Sequence, residues 1–150
     1  MLFRSEVNDA RKRAMADKVA KALGGELKGK RIGILGLTFK PNTDDMRDAP
    51  SLSVVPALQE LGAVVQAFDP EGRHEAEKML DGVEFKDGPY DVAEDADCLV
   101  ILTEWDQFRA LDLDRVKLLL RRPVIVDLRN VYRPDDMRAR GFTYTSIGRP

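Results

Sequence analysis

The sequence predicts a doubly wound α/β domain, a mostly parallel sheet with helices on both faces. Three observations carry that reading. Strand-like runs alternate with helical stretches from Arg31 to the C-terminus. The strand runs are short and continuously apolar, as expected when both faces of a sheet are covered. Parallel neighbours require crossover connections, and the helical stretches between the runs are placed to supply them. The strand order expected is 3-2-1-4-5-6, the commonest arrangement for such a sheet.

Taken in order, Met1 to Glu6 carries no usable pattern and reads as a cloning remnant or a cut end. Asn8 offers a helix cap. Met15, Val19, Ala22 and Leu23 follow helical spacing, and Gly24-Gly25 stops the helix. Residues 1–24 thus form a linking helix and 25–150 the domain proper. Arg31 to Leu35 is the first strand, ended by Gly36. A long polar loop, Thr38 to Pro50, follows. The next helix starts at Ser51 or Ser53 and ends at Gly62; a start at Ser53 accommodates Pro56, and an earlier one predicts a kink. Ala63 to Phe68 is the second strand, Glu75 to Leu80 a polar helix, and Val83 to Phe85 a weak third strand. Tyr90 to Asp95 is helical, and Cys98 to Leu102 is a strongly apolar fourth strand. Asp106 can cap a helical turn, and Leu113 to Leu120 continues helically. Val124 to Val126, Pro134 to Arg140 and Phe142 to Ile147 complete the pattern as strand, helix and strand.

Composition narrows the function classes. A chain of 150 residues with 43% apolar content supports one domain with a real core. Its net charge of -2 and the lack of a basic stripe give no support to nucleic-acid binding. No run is apolar enough to span a membrane, and no signal-peptide pattern stands at Met1. One cysteine rules out an internal disulfide and suits a reducing cytoplasm. His74 and Cys98, each the sole residue of its type, make no zinc site by themselves.

Ligands of open α/β sheets bind beyond the carboxyl ends of the strands, so the loop after Leu35 is the leading site candidate. A dinucleotide site wants Gly-x-Gly-x-x-Gly there. Here Gly33 and Gly36 stand alone, so side chains must do the recognition. Lys40 suits a phosphate as a mobile point charge, and Pro41 pushes it towards extended backbone. Phe39 can wall a base, a sugar or the core. Asn42, Thr43, Asp44 and Asp45 can brace the loop through side-chain to backbone hydrogen bonds. Arg47 offers a planar bidentate donor. The same residues also describe a solvated loop with Phe39 in the core and Arg47 paired to Asp44 or Asp45. Asp69 stands where an acid grips a ribose, or serves a turn with Pro70. Trp105 and Arg129 lie on the ligand edge, with a buried aromatic and a structural ion pair as the default readings. Cys98 reads as a buried thiol and His74 as solvent-facing.

Several stretches together resemble the C-terminal, UDP-binding domain of the UDP-glucose/GDP-mannose dehydrogenase family. They are Gly36 to Arg47, with its Phe-Lys-Pro-Asn-Thr-Asp-Asp-x-Arg string, together with Val7-Asn8, Phe68-Asp69-Pro70, Leu102-Thr103-Glu104-Trp105 and Asp127-Leu128-Arg129-Asn130. The resemblance runs from about Val7 to the C-terminus. Met46 to Pro50 is more similar to the bacterial branch acting on UDP-glucose than to the GDP-mannose branch. The resemblance implies a Rossmann-like three-layer domain of an enzyme that oxidises a sugar C6 alcohol twice, with NAD and a cysteine thioester. It implies that Phe39 and Lys40 contact the UDP-sugar, that Arg129 helps with the nucleotide, and that Arg47 reaches towards NAD across a domain cleft. It also implies an NAD-binding and a central dimerisation domain as partners in one cytoplasmic protein of polysaccharide biosynthesis, a homo-oligomer at full length. The family's Gly-Gly-x-Cys-x-Pro-Lys-Asp motif is absent, and Cys98 does not match its nucleophile. No catalytic residue and no metal ligand is therefore expected here, and the chain alone should not turn over. Competing readings are a GDP-mannose or UDP-N-acetylhexosamine dehydrogenase domain, a freestanding nucleotide-sugar-binding module, and a phosphoacceptor signalling domain. The last fits poorly, because Asp69 ends the second strand and not the third, and Arg129 stands where a lysine belongs.

Overall fold

The computed structural model describes residues 4–147, with side chains described from Arg13 onward. Six strands form one sheet: β1 (Arg31–Leu35), β2 (Val64–Phe68), β3 (Glu84–Phe85), β4 (Cys98–Ile101), β5 (Val124–Asp127) and β6 (Thr143–Ser146). Their order is β3-β2-β1-β4-β5-β6, as expected from the sequence, and every pairing is parallel.

Among the described residues, seven helices cover the two faces. On one side lie α1 (Arg4–Ala22), α2 (Ser51–Glu60) and α3 (Arg73–Met79). They pack Ala16, Val19, Val54, Leu58 and Ala76 against Ile32, Ile34, Val65 and Val100. On the other lie α4 (Pro89–Ala93), α5 (Asp106–Arg109), α6 (Leu113–Leu119) and α7 (Pro134–Ala139). Their Val92, Phe108, Val116 and Met137 pack against Leu35, Leu99, Ile101 and Ile125. Successive strand residues face opposite layers, which is why β4 and the first three residues of β5 are apolar and buried. Burying each large aliphatic side chain contributes about 1.5–3 kcal/mol.

Three local expectations change. α1 begins at Arg4, so Asn8 lies inside it and is not its cap; residues 1–3, part of the patternless start, lie outside the described residues. α2 begins at Ser51, and Ser51 does not cap it. The Ser51 hydroxyl donates instead to the Leu37 carbonyl (2.6 Å). Pro56 therefore sits within α2, and the bond its N–H would have made to the Leu52 carbonyl is missing. Asp106 opens α5 without a side-chain cap bond, whereas Asp112 does cap α6 by accepting from the Arg115 amide (3.2 Å).

Candidate functional site: the carboxyl edge of the sheet

Strand register builds the site. Phe68, Leu35, Ile101, Asp127 and Ser146 are aligned across the sheet as its last carboxyl-side row. The residues that follow them, far apart in sequence, therefore share one edge: Asp69 after β2, Gly36 to Thr38 after β1, Thr103-Glu104-Trp105 after β4 and Leu128-Arg129-Asn130 after β5.

The base of the β1 loop is clasped from three directions. Asp69 is 4% exposed, and its Oδ2 accepts from the Leu37 amide (2.7 Å), the Thr38 amide (3.0 Å) and the Thr38 hydroxyl (3.1 Å). Its Oδ1 accepts from the amides of Glu71 (3.0 Å) and Gly72 (2.7 Å). The Thr103 hydroxyl donates to the Thr38 carbonyl (2.8 Å), and Ser51 holds the Leu37 carbonyl. Gly36 adopts φ +91°, and a Cβ there would lie 2.5 Å from the Thr103 Cβ. Only glycine takes that backbone and that approach without strain.

Beyond the clasp the loop turns outward. Phe39 is 47% exposed and Lys40 is exposed beside it, so the reading that puts Phe39 in the core does not hold. The Phe39 amide donates to the Asp45 carbonyl (2.9 Å) and the Asp45 amide to the Thr43 hydroxyl (3.1 Å), closing the loop. Asn42 and Asp48 take positive φ values of 64° and 57°, the residue types that tolerate it best after glycine. Met46 and Ala49 are buried and root its far end. Arg47 meets Asp45 through a bidentate pair (3.1 Å each) and its own amide (2.9 Å). That hydrogen bonding lowers the Asp45 carboxyl pKa and raises that of the guanidinium. The pair lines an open groove of about 430 Å³ against Glu75 and Met79 of α3.

Arg129 stands on the same edge, paired with Glu104 across the ends of β4 and β5. Its backbone is set by Asp127, a fully buried residue that the sequence presents only as the first member of the Asp-Leu-Arg-Asn string. Asp127 Oδ1 accepts from the Arg129 amide (3.0 Å), and Oδ2 from the Tyr132 amide (2.9 Å) and the Tyr144 hydroxyl (2.6 Å). Trp105 is buried, and its Nε1 has no hydrogen-bond partner among the described residues. Cys98 is fully buried, and burial pushes its thiol up to about 12, far from a reactive thiolate. His74 is exposed. Among the described residues, no group of His, Cys, Asp or Glu side chains is arranged to hold a metal, and no helix is long and apolar enough to cross a membrane.

The β1 turn and Asp69 do not fit the pyrophosphate and ribose of a dinucleotide in the usual way. The turn after β1 opens into the polar loop, and the next helix begins only at Ser51. The acid at the end of β2, placed to meet a ribose hydroxyl in dinucleotide folds, has both oxygens engaged by backbone amides.

Fold and edge together define the class: a doubly wound α/β domain whose carboxyl edge carries a clasped polar loop in place of a glycine turn. The chain belongs to the UDP-glucose/GDP-mannose dehydrogenase family, whose UDP binding domain matches residues 33–134. It is 56% identical over 144 residues to a UDP-glucose 6-dehydrogenase of Rhizobium meliloti, covering 96% of this chain and 33% of that protein. A UDP-glucose 6-dehydrogenase of Bacillus subtilis is 44% identical, with 97% and 32% covered. Among solved structures, the NDP-N-acetyl-D-galactosaminuronic acid dehydrogenase of Methanosarcina mazei superposes with TM-score 0.78 at 31% identity, covering 94% of this chain and 29% of that one. A UDP-glucose dehydrogenase of Pyrobaculum islandicum gives 0.72 at 30%, covering 91% and 29%. The chain thus spans about a third of the length of the curated relatives it matches.

Proposed function

We propose that this chain is the substrate-binding domain of an NAD-dependent UDP-glucose 6-dehydrogenase, the enzyme that converts UDP-glucose, two NAD and water to UDP-glucuronate and two NADH. The observation that carries the reading is the exposed Phe39-Lys40 pair on a loop clasped to the carboxyl edge. An aromatic face and a cation presented side by side suit a nucleotide: the ring packs on the flat base or sugar, and the ammonium meets a phosphate oxygen. Arg129, on the same edge, adds a planar donor for a second phosphate oxygen once it shares or leaves Glu104. Arg47, once it shares or leaves Asp45, reaches towards the cofactor, which other parts of the whole protein bind. Those parts also supply the acid, base and thiol, as well as the subunit contacts of a cytoplasmic homo-oligomer. The identities to UDP-glucose 6-dehydrogenases support UDP-glucose over GDP-mannose and UDP-N-acetylhexosamines.

Titration calorimetry tests this. The chain should bind UDP-glucose and UDP in preference to GDP-mannose and UDP-N-acetylglucosamine, and Lys40→Ala should weaken binding about tenfold or more, as expected for losing a charged hydrogen bond. Equal binding of all four, or no effect of Lys40→Ala, would contradict the assignment. So would steady NADH production from UDP-glucose by the 150-residue chain alone.

A further inference from the structure

We propose that Asp69 is a positioning residue for nucleotide-sugar binding: it holds the Phe39-Lys40 turn in its binding shape without touching the ligand. The inference rests on the functional reading above and adds a residue to it.

An ionised carboxylate only accepts hydrogen bonds, and here both oxygens are met by donors: Leu37 and Thr38 on one, Glu71 and Gly72 on the other. One side chain thereby ties the turn after β2 to the turn after β1. No acceptor is left facing outward for a ribose. Charge-assisted bonds of this kind are the stronger class.

The clasp also fixes direction. The Leu37 peptide is held at its amide by Asp69 and at its carbonyl by Ser51, and the Thr38 peptide at its amide by Asp69 and at its carbonyl by Thr103. A Cβ on Gly72 would stand 2.4 Å from the Thr38 Cγ2, so the two turns touch with no slack. The Thr38 hydroxyl also lies 3.1 Å from the Lys40 carbonyl. Phe39 and Lys40 follow directly from these held peptides. A loop ordered before binding does not have to be ordered by the ligand, and affinity gains accordingly.

Asparagine at position 69 is the informative substitution. It keeps the shape but turns one acceptor oxygen into a donor amide, which must then face backbone N–H groups on one of the two turns. The experiment measures amide hydrogen exchange and UDP-glucose titration on the same 150-residue chain, for wild type, Asp69→Asn and Lys40→Ala. For Asp69→Asn, exchange across residues 37–47 should rise about tenfold or more while the β4 amides stay protected, and UDP-glucose affinity should fall about tenfold, matching the loss of a buried charged hydrogen bond. Lys40→Ala should lose affinity with loop exchange unchanged, which separates contact from positioning. If Asp69→Asn does not fold, Thr38→Val takes its place; it removes one hydroxyl bond to Asp69 and should show the same pair of changes at smaller size. A loosened loop with unchanged affinity overturns the proposal, as does lost affinity with an unloosened loop. A wild-type chain that binds no UDP-sugar overturns the functional reading and the proposal with it. A wild type that binds, beside an Asp69→Asn that binds equally, overturns only the proposal.

Discussion

Replacing Gly36 by alanine tests how closely the ends of β1 and β4 approach. Gly36 has φ +91°, and an added Cβ would meet the Thr103 Cβ at 2.5 Å, its amide nitrogen at 2.7 Å and its Oγ1 at 2.7 Å. Gly25 provides the control, since its φ is +96° but a Cβ there meets nothing within 4 Å. Left-handed backbone costs an L-residue about 1–2 kcal/mol, partly offset by the less flexible unfolded chain, so Gly25→Ala should cost about 1 kcal/mol. Gly36→Ala carries the same backbone term plus about 2 kcal/mol for forcing atoms into a filled space, about 3 kcal/mol together. With a urea m-value of about 2 kcal/mol/M, the unfolding midpoint should fall by about 1.5 M for Gly36→Ala and about 0.5 M for Gly25→Ala. Thr103 can yield only by leaving the Thr38 carbonyl, so Gly36→Ala should also loosen the β1 loop. Equal midpoint shifts for the two variants would refute the close approach.

Two further predictions follow from burial. Phe39→Ala removes a ring that is 47% exposed, so stability should change by less than about 0.5 kcal/mol while UDP-glucose affinity falls about tenfold from lost stacking; a destabilised chain with unchanged affinity would place the ring in the wrong role. Cys98 titrates at about 12 when folded, up from an ordinary 9.0, chiefly through burial. The unfolded chain therefore releases this proton at lower pH than the folded one, and the contribution to stability is complete below pH 9 and is lost as pH rises towards 12. By pH 10 wild type should have lost about 1.4 kcal/mol more than Cys98→Ala, each relative to its own value at pH 8. Urea unfolding at the two pH values measures it, and parallel losses would show that the thiol is not shielded.

The sequence alone determined the periodic features. Continuous apolar runs such as Cys98 to Ile101 and Val124 to Val126 mark strands buried on both faces, and the helical stretches between them dictate parallel pairing. The loop string from Phe39 to Arg47 was equally legible, because its chemistry is contiguous. Tertiary structure decided what each edge residue faces. Asp69 could be read as a ribose ligand or a turn residue, and only the alignment of Phe68 with Leu35 brings it against the Leu37 and Thr38 amides. Ser51 had the look of a helix cap and instead holds a carbonyl of the loop. Arg129 meets Glu104 only because β4 and β5 are neighbours, and Asp127 becomes a buried hub only when β6 brings Tyr144 beside it. The physical reason is the same in each case. Periodicity is a local property of the chain, whereas a polar side chain's partner is set by strand register across tens of residues, and a buried polar group takes whichever donor that register delivers.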